Sequence, residues 1–145
     1  MVLVQTEPEQ EQATRCAIVV DESLPPGLAA NAAAVLALTL GARHPALVGK
    51  EFADGDGLVH AGLIVRGLPV LRAPAAELTA LRGRAAEAGI EVVDMPVYGQ
   101  QTNDYDEFRR RVGATPAAEL VYLGVALCGA PRRVRSLTGS LALLR

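Results

Sequence analysis

Apolar residues along the chain fall into runs whose lengths and spacing are typical of buried strands alternating with helices. A β-branched run, RCAIVVD (15–21), predicts a buried strand that ends at Asp21. A Pro-Pro-Gly turn then opens the apolar stretch LPPGLAANAAAVLALTLG (24–41), which predicts a core helix with Gly41 as its C-cap. Strand, turn and helix together make one α/β unit.

The middle of the chain predicts a hairpin followed by a second helix and strand. Two extended runs, 46–52 and 58–71, are separated by ADGDG, a sequence typical of hairpin turns. An Ala-rich amphipathic helix is expected over 73–89 because Pro74 lies at its start and Gly89 at its end. The run IEVVDM (90–95) predicts the strand that follows.

The last third of the chain completes an alternating pattern of strands and helices. It predicts a charged helix over 103–113, a buried strand over 121–129, a basic helix over 130–139 and an apolar segment over 140–145. We expect the runs 16–20 and 121–128 to be central strands, since both are apolar on both faces. The predicted fold is a three-layer α/β sandwich with a mixed β-sheet. Residues 1–12 predict a flexible tail and residues 13–145 a single domain.

Composition and charge exclude several classes of partner. The formal net charge is −2, and three Tyr and two Phe are the only aromatic residues, so nucleic-acid binding is not expected. The apolar part of the first helix is shorter than the roughly 18–20 residues that span a bilayer. The acidic, polar N-terminus lacks the pattern of a signal peptide. These features predict a cytoplasmic protein with no membrane contact.

Several of these stretches resemble known families. VVDESLPPGLAANAAAVLALTLG (19–41), the Asp-Gly hairpin and LTGSL (137–141) resemble an uncharacterised bacterial family, a domain of unknown function in the two-thousand series. The order of elements and the ending GVALCGAPRRVRSLTGSLALL also resemble the peptidyl-tRNA hydrolase II fold. This second resemblance implies a peptidyl-tRNA hydrolase II-like domain that forms a homodimer.

The same resemblance implies that the catalytic groups of the hydrolase are missing. Its Ile-Ala-Ala-Gln motif matches LAAN (28–31), so Asn31 stands where the family has Gln. Its Lys falls on Gly27, its His on Ala34, and the Thr that opens its last core strand falls near Gly124. Ester hydrolysis needs a charged group at the developing oxyanion and an activated water, and these positions supply neither.

Asn31 is the first candidate for a binding residue, with two alternatives left open. Its amide can satisfy the backbone of the preceding turn, or it can point into a pocket over the helix N-terminus, where free N–H groups attract anions. A buried amide without a partner would cost ~1–3 kcal/mol, so we expect something to bind it. YGQQT (98–102) and Asp94, which loosely match a loop of the hydrolase, follow a predicted strand. The predicted ligand-binding residues are Gly27, Asn31, Asp94, Gln100 and Thr102.

No metal site and no cofactor are predicted. DGDG (54–57) near His60 lacks the ligand spacing of a Ca²⁺ loop, which favours a simple hairpin turn. Cys16 and Cys128 lie in apolar runs and are expected to be buried free thiols. His44, just past the end of a helix, is interpreted as a surface cap.

The arginine runs 109–111 and 132–135 are expected to be solvated helix faces. Arg132, Arg133 and Arg135, near the C-terminal motif, could also bind an anion.

Two functional hypotheses follow. The first is a non-catalytic protein that binds a small polar or anionic ligand at Asn31, Gln100 and Thr102. The second is a divergent hydrolase, acting on peptidyl-tRNA or a related ester, in which Asp94 or Asp21 orients water. The first is preferred because the second lacks a group that would stabilise the electrophile. The catalytic residues, if any, are unknown.

Overall fold

The structure, a computed structural model, describes residues 14–145. The predicted tail, residues 1–12, lies outside the described residues. The strands are β1 (Arg15–Asp21), β2 (Phe52–Ala53), β3 (Val59–His60), β4 (Val70–Ala73), β5 (Glu91–Pro96), β6 (Tyr122–Gly129) and β7 (Ala142–Leu143). The helices are α1 (Pro26–Arg43), α2 (Ala75–Glu87), α3 (Tyr98–Gln101), α4 (Tyr105–Gly113) and α5 (Pro131–Thr138), with 3₁₀ turns at Pro45–Leu47 and Ala117–Glu119.

The main sheet of the described chain is mixed, as predicted, and has the strand order β5-β6-β1-β4-β7. β1 pairs parallel with β4 and antiparallel with β6, while β5 and β7 pair antiparallel at the two edges. Both strands that were predicted to be central, β1 and β6, are flanked by neighbours on each side. Their burial explains why their sequences are apolar at successive positions rather than at alternate ones.

Helices pack on both faces of this sheet. Successive side chains of β1 point to opposite faces, so the apolar strand contributes to the core on each side. On one face, Ala17 and Val19 contact a core that α2 and α5 complete with residues such as Leu78 and Val134. On the other face, the core contains Cys16, Ile18, Val20, Ala29, Ala32, Leu36 and Leu40, of which the last four belong to α1. α1 is therefore alone among the long helices in covering its face of β1.

The expectation that α1 is a core helix is correct for one side of it only. Leu36 and Leu40 are buried, whereas Leu28, Val35 and Leu38 are 45%, 41% and 78% exposed. The helix also runs past the predicted cap at Gly41 and ends at Arg43, with His44 as C-cap. No helix within residues 14–145 combines the length and the apolar character that crossing a bilayer requires.

The predicted hairpin is present but much shorter than the two extended runs suggested. β2 and β3 contribute two residues each around the Asp54–Gly57 turn, and the second run does not form one continuous strand. Beyond the hairpin the chain pairs loosely, with Gly49 N–H donating to Leu63 O (2.8 Å). A Cβ at Gly62 would lie only 1.9 Å from the Gly49 carbonyl oxygen, so this close approach requires glycine.

Candidate functional site

Asn31 and Gln100, two of the predicted site residues, are in contact. Gln100 Nε2 donates to the backbone oxygen of Leu28 (3.0 Å) and to Asn31 Oδ1 (3.5 Å). Two expectations about this pair are wrong. Asn31 is exposed in the second turn of α1 rather than buried in the first, and Gln100 lies in the short helix α3 rather than in a loop. Asn31 therefore has no buried amide that a ligand would need to satisfy.

The other predicted site residues are dispersed. Gly27 is exposed in the first turn of α1, and Thr102 donates to the backbone oxygen of Tyr98 (3.0 Å). Asp94 and Thr102 both border a groove of about 450 Å³ beside α1. The Asp94 carboxylate, however, accepts from Arg82 Nε (2.6 Å) of α2, which covers the opposite face of the sheet. The hydrogen bond to Asp94 raises the pKa of Arg82.

A larger cavity lies at the other end of α1. It has a volume of about 900 Å³ and is bounded by the C-terminal half of α1, the start of β1, the residues before β4 and the start of α5. Most of its lining is aliphatic: Ala37, Leu38, Leu40, Ala42, Leu47, Val48, Ile64, Leu68, Pro69 and Pro131. Its volume and apolar lining are typical of sites for small molecules.

Three arginines interrupt this apolar lining. Arg15, Arg66 and Arg135 all border the cavity, and no Asp or Glu is among the described residues that do. Arg15 Nε is buried and has no hydrogen-bond partner among residues 14–145. A guanidinium remains charged at all ordinary pH values, so an unpaired buried donor on it is costly. The cavity is thus positively charged in a chain whose formal net charge is −2.

A cluster of four chemically reactive side chains adjoins the cavity. Cys16 and Cys128 are buried free thiols, as predicted, and their Sγ atoms are 3.0 Å apart. His44 Nε2 forms a short hydrogen bond with Glu91 Oε2, and the donor atoms of His44, Glu91 and Cys128 all lie within 4.8 Å of one another. We call these four residues the thiol cluster. Cys16 also borders the cavity, so the two features share a wall.

The electrostatics of the thiol cluster differ between its members. The hydrogen bond between the two sulfurs lowers the pKa of Cys16 and raises the pKa of Cys128, and burial raises the latter further. Burial also raises the pKa of Glu91, but hydrogen bonds from Arg43 and His44 outweigh it and the net shift is downward. The cluster therefore holds a carboxylate and one thiol that ionises more readily than the other.

Sequence reasoning missed the thiol cluster because its members are far apart in the chain. His44 is the C-cap residue of α1, as interpreted from the sequence. That interpretation did not include the contact of its side chain with Glu91. One signal was available. Cys16 and Cys128 occupy the two strands predicted to be central, and antiparallel pairing of those strands places the two residues opposite each other.

These features define a class: an α/β protein with one mixed sheet, an arginine-lined apolar cavity and an adjoining cluster of thiol, imidazole and carboxylate groups. The chain belongs to the DUF2000 family of proteins of unknown function, whose sequence profile matches residues 14–145. This confirms the uncharacterised bacterial family predicted from the sequence. The resemblance to peptidyl-tRNA hydrolase II stays a prediction.

A solved structure of a protein of unknown function from Agrobacterium tumefaciens strain C58 is similar to this chain. The two share 20% sequence identity with a TM-score of 0.83, over 90% of this chain and 97% of that one. At this level of identity the likeness shows the fold alone. Comparison with the curated proteins gives no match.

Proposed function

We propose that the protein binds a small molecule that has an anionic group and an apolar body, and that the cavity at the C-terminal end of α1 is its site. One observation carries the proposal: three arginines, one of which has a buried Nε without a hydrogen-bond partner among residues 14–145, interrupt a mostly aliphatic cavity lining. The sequence predicts a small polar or anionic ligand, and the proposal retains the anionic one. The proposed site moves from Asn31 to the arginine-lined cavity.

The anionic group follows from the chemistry of the arginines. A guanidinium presents a planar set of N–H donors that matches a carboxylate or a phosphate, and charge-assisted bonds of this kind are about twice as strong as neutral ones. Because no carboxylate of the described chain borders the cavity, Arg15, Arg66 and Arg135 have no internal counter-ion there. A bound anion would supply it.

The apolar body follows from the exposed aliphatic side chains on the same cavity wall. Leu38 is 78% exposed, Ile64 49% and Val48 47%. Covering apolar surface yields about 25 cal/mol per Å², so an alkyl or ring system seated against these residues would gain affinity from each side chain it covers. A fully polar anion, such as inorganic phosphate, would gain nothing from this wall.

Binding is better supported than hydrolysis. The two carboxylates considered as bases are already engaged: Asp94 with Arg82, and Asp21 with the backbone N–H (2.9 Å) and hydroxyl (2.8 Å) of Ser23. Neither residue borders the cavity. The positions that match the hydrolase's Lys and His remain Gly27 and Ala34. The homodimer and the cytoplasmic location stay predictions.

The proposal is tested by thermal unfolding in the presence of octanoate, octyl phosphate and the neutral analogue octanol. A ligand at a hundredfold excess over its Kd stabilises by ~2.7 kcal/mol, and ~4 °C per kcal/mol is expected for a chain of this size. We expect the two anions to raise the Tm and octanol to leave it unchanged.

Arg15→Met should abolish this rise, because it keeps an unbranched apolar stem and removes the charge. Arg132→Met is the matched control, since Arg132 is an exposed arginine of α5 that does not border the cavity. Equal responses of the two variants, or stabilisation by octanol as strong as by octanoate, would overturn the proposal.

A further inference from the structure

We propose that the thiol cluster, Cys16, His44, Glu91 and Cys128, is a binding site for one Zn²⁺ ion. The four residues offer two sulfur atoms, one imidazole nitrogen and one carboxylate oxygen. A tetrahedral zinc site uses four donors, and donors of these types bind zinc in preference to harder divalent cations. The inference does not depend on the proposed ligand of the neighbouring cavity.

The strand register builds three quarters of this site. Cys16 of β1 lies directly opposite Cys128 of β6, and Cys128 lies directly opposite Glu91 of β5. The three residues therefore form one row across three neighbouring strands, and residues in register on adjacent strands project from the same face of a sheet. Cys16 and Cys128 both belong to the core on the face that α1 covers.

The fourth donor comes from the end of α1. His44 is the C-cap residue of that helix, so its position above the row is determined by the packing of α1 on the sheet. The 3₁₀ turn Pro45–Leu47 follows immediately and turns the chain away.

The distances suit a single ion. Zn–S bonds of about 2.3 Å and Zn–N or Zn–O bonds of about 2.0 Å place neighbouring donors of a tetrahedron roughly 3.3–3.8 Å apart. The two sulfurs are 3.0 Å apart, and the donor atoms of His44, Glu91 and Cys128 are all within 4.8 Å of one another. Cys128 therefore joins the pair of sulfurs to the group formed with His44 and Glu91, and side-chain rotation would have to bring Cys16 together with those two residues around one ion.

A contact from a residue outside the four donors also fits a metal. Arg43 Nε hydrogen-bonds Glu91 Oε1, which leaves Oε2 directed toward His44 and the sulfurs. Two thiolates and one carboxylate around Zn²⁺ leave one excess negative charge, which the Arg43 guanidinium offsets. On binding, each thiol releases its proton to solvent, and His44 Nε2 must carry no proton in order to act as a ligand.

The test uses Co²⁺ as a spectroscopic substitute in the full-length protein, after chelator treatment under reducing conditions. We expect one equivalent of Co²⁺ to produce sulfur-to-metal charge-transfer bands and the intense visible bands of a tetrahedral site, and Zn²⁺ to abolish both. Weak bands of six-coordinate Co²⁺, or no bands at all, would overturn the proposal.

His44→Gln and Glu91→Gln change partly exposed side chains and should each weaken Co²⁺ binding at least tenfold without preventing folding. Cys128→Ser should remove the charge-transfer bands that depend on its sulfur. His60→Gln is the matched control, because His60 also pairs with a carboxylate, Asp54, but has no thiol beside it. Equal weakening by His44→Gln and His60→Gln would show that the ion binds elsewhere.

Discussion

Truncation to alanine should destabilise the protein strongly at Leu36 and hardly at all at Leu38, although the two leucines of α1 are only two positions apart. Leu36 is 1% exposed, whereas Leu38 is 78% exposed. Leu36 packs so closely on β6 that its Cδ1 atom would lie 2.8 Å from a Cβ added at Gly124. Leu36→Ala therefore removes a side chain from the middle of a packed core, and Leu38→Ala removes one that lies largely in solvent.

The magnitude follows from burial. Truncating a fully buried leucine to alanine costs about 2–5 kcal/mol, since transfer free energy is lost and a cavity remains. Leu36 projects from α1 onto the central strands, and these packed elements cannot collapse around the cavity that the truncation leaves. We therefore expect a free energy of unfolding lower by about 3 kcal/mol and a Tm lower by roughly 12 °C. Leu38→Ala should change the free energy of unfolding by less than about 0.5 kcal/mol, because so little of the side chain is covered.

The free energy of unfolding is best measured by urea denaturation followed by far-UV circular dichroism, because the chain has no Trp. The two variants carry the same substitution in the same helix, so helix propensity cancels between them. A similar loss of stability in both, or a larger loss for Leu38→Ala, would show that α1 is buried on the side that faces solvent here. That result would also remove the exposed aliphatic wall on which the proposed ligand depends.

The remaining predictions concern three single positions. Gly83→Ala in α2 should raise the free energy of unfolding by about 0.5–1 kcal/mol, because helix propensity improves and the new Cβ meets nothing within 4 Å. Gly124→Ala should lower the free energy of unfolding by about 1–3 kcal/mol, because a Cβ at this position would meet the Leu36 side chain at 2.8 Å. Urea denaturation of the Gly83→Ala and Gly124→Ala variants measures both changes, and equal effects would refute the packing described. Asn31→Leu should leave the Tm of the ligand-free protein within about 2 °C, since the amide is exposed. A fall of 1 kcal/mol or more in Asn31→Leu would mean that its contact with Gln100 is structural.

The central strands could be predicted from sequence because burial on both faces is visible as a continuous run of apolar residues. Residues 16–20 and 121–128 are apolar at every position, and only a strand with neighbours on both sides and helices on both faces buries such a run. The exposed face of α1 could not be predicted in the same way. Its Ala and Leu residues surround the helix without a charged stripe, so the pattern does not distinguish the buried Leu36 from the exposed Leu38.

The candidate sites depend on long-range geometry that a single sequence does not contain. Asp94 follows a pattern that suggests a ligand-binding loop, yet alternation along β5 turns its carboxylate toward Arg82 on the other face. The thiol cluster arises only when the register of three strands aligns Cys16, Cys128 and Glu91. Neither the spacing nor the composition of the chain specifies that register.

Departures from the usual rules of packing concentrate at one end of α1. Leu38 is exposed there, Arg15 Nε is buried without a described partner, and two thiols lie against a carboxylate and an imidazole. The exposed leucine and the buried Nε without a described partner are unfavourable for stability alone, and such violations are expected where residues are retained for binding or chemistry. The N-terminal end of the helix, around Asn31, shows a smaller departure: Leu28 is 45% exposed there, and the exposed Asn31 amide contacts the half-buried Gln100 amide. Both proposed sites therefore lie at the C-terminal end of α1, where the cavity and the thiol cluster meet at Cys16.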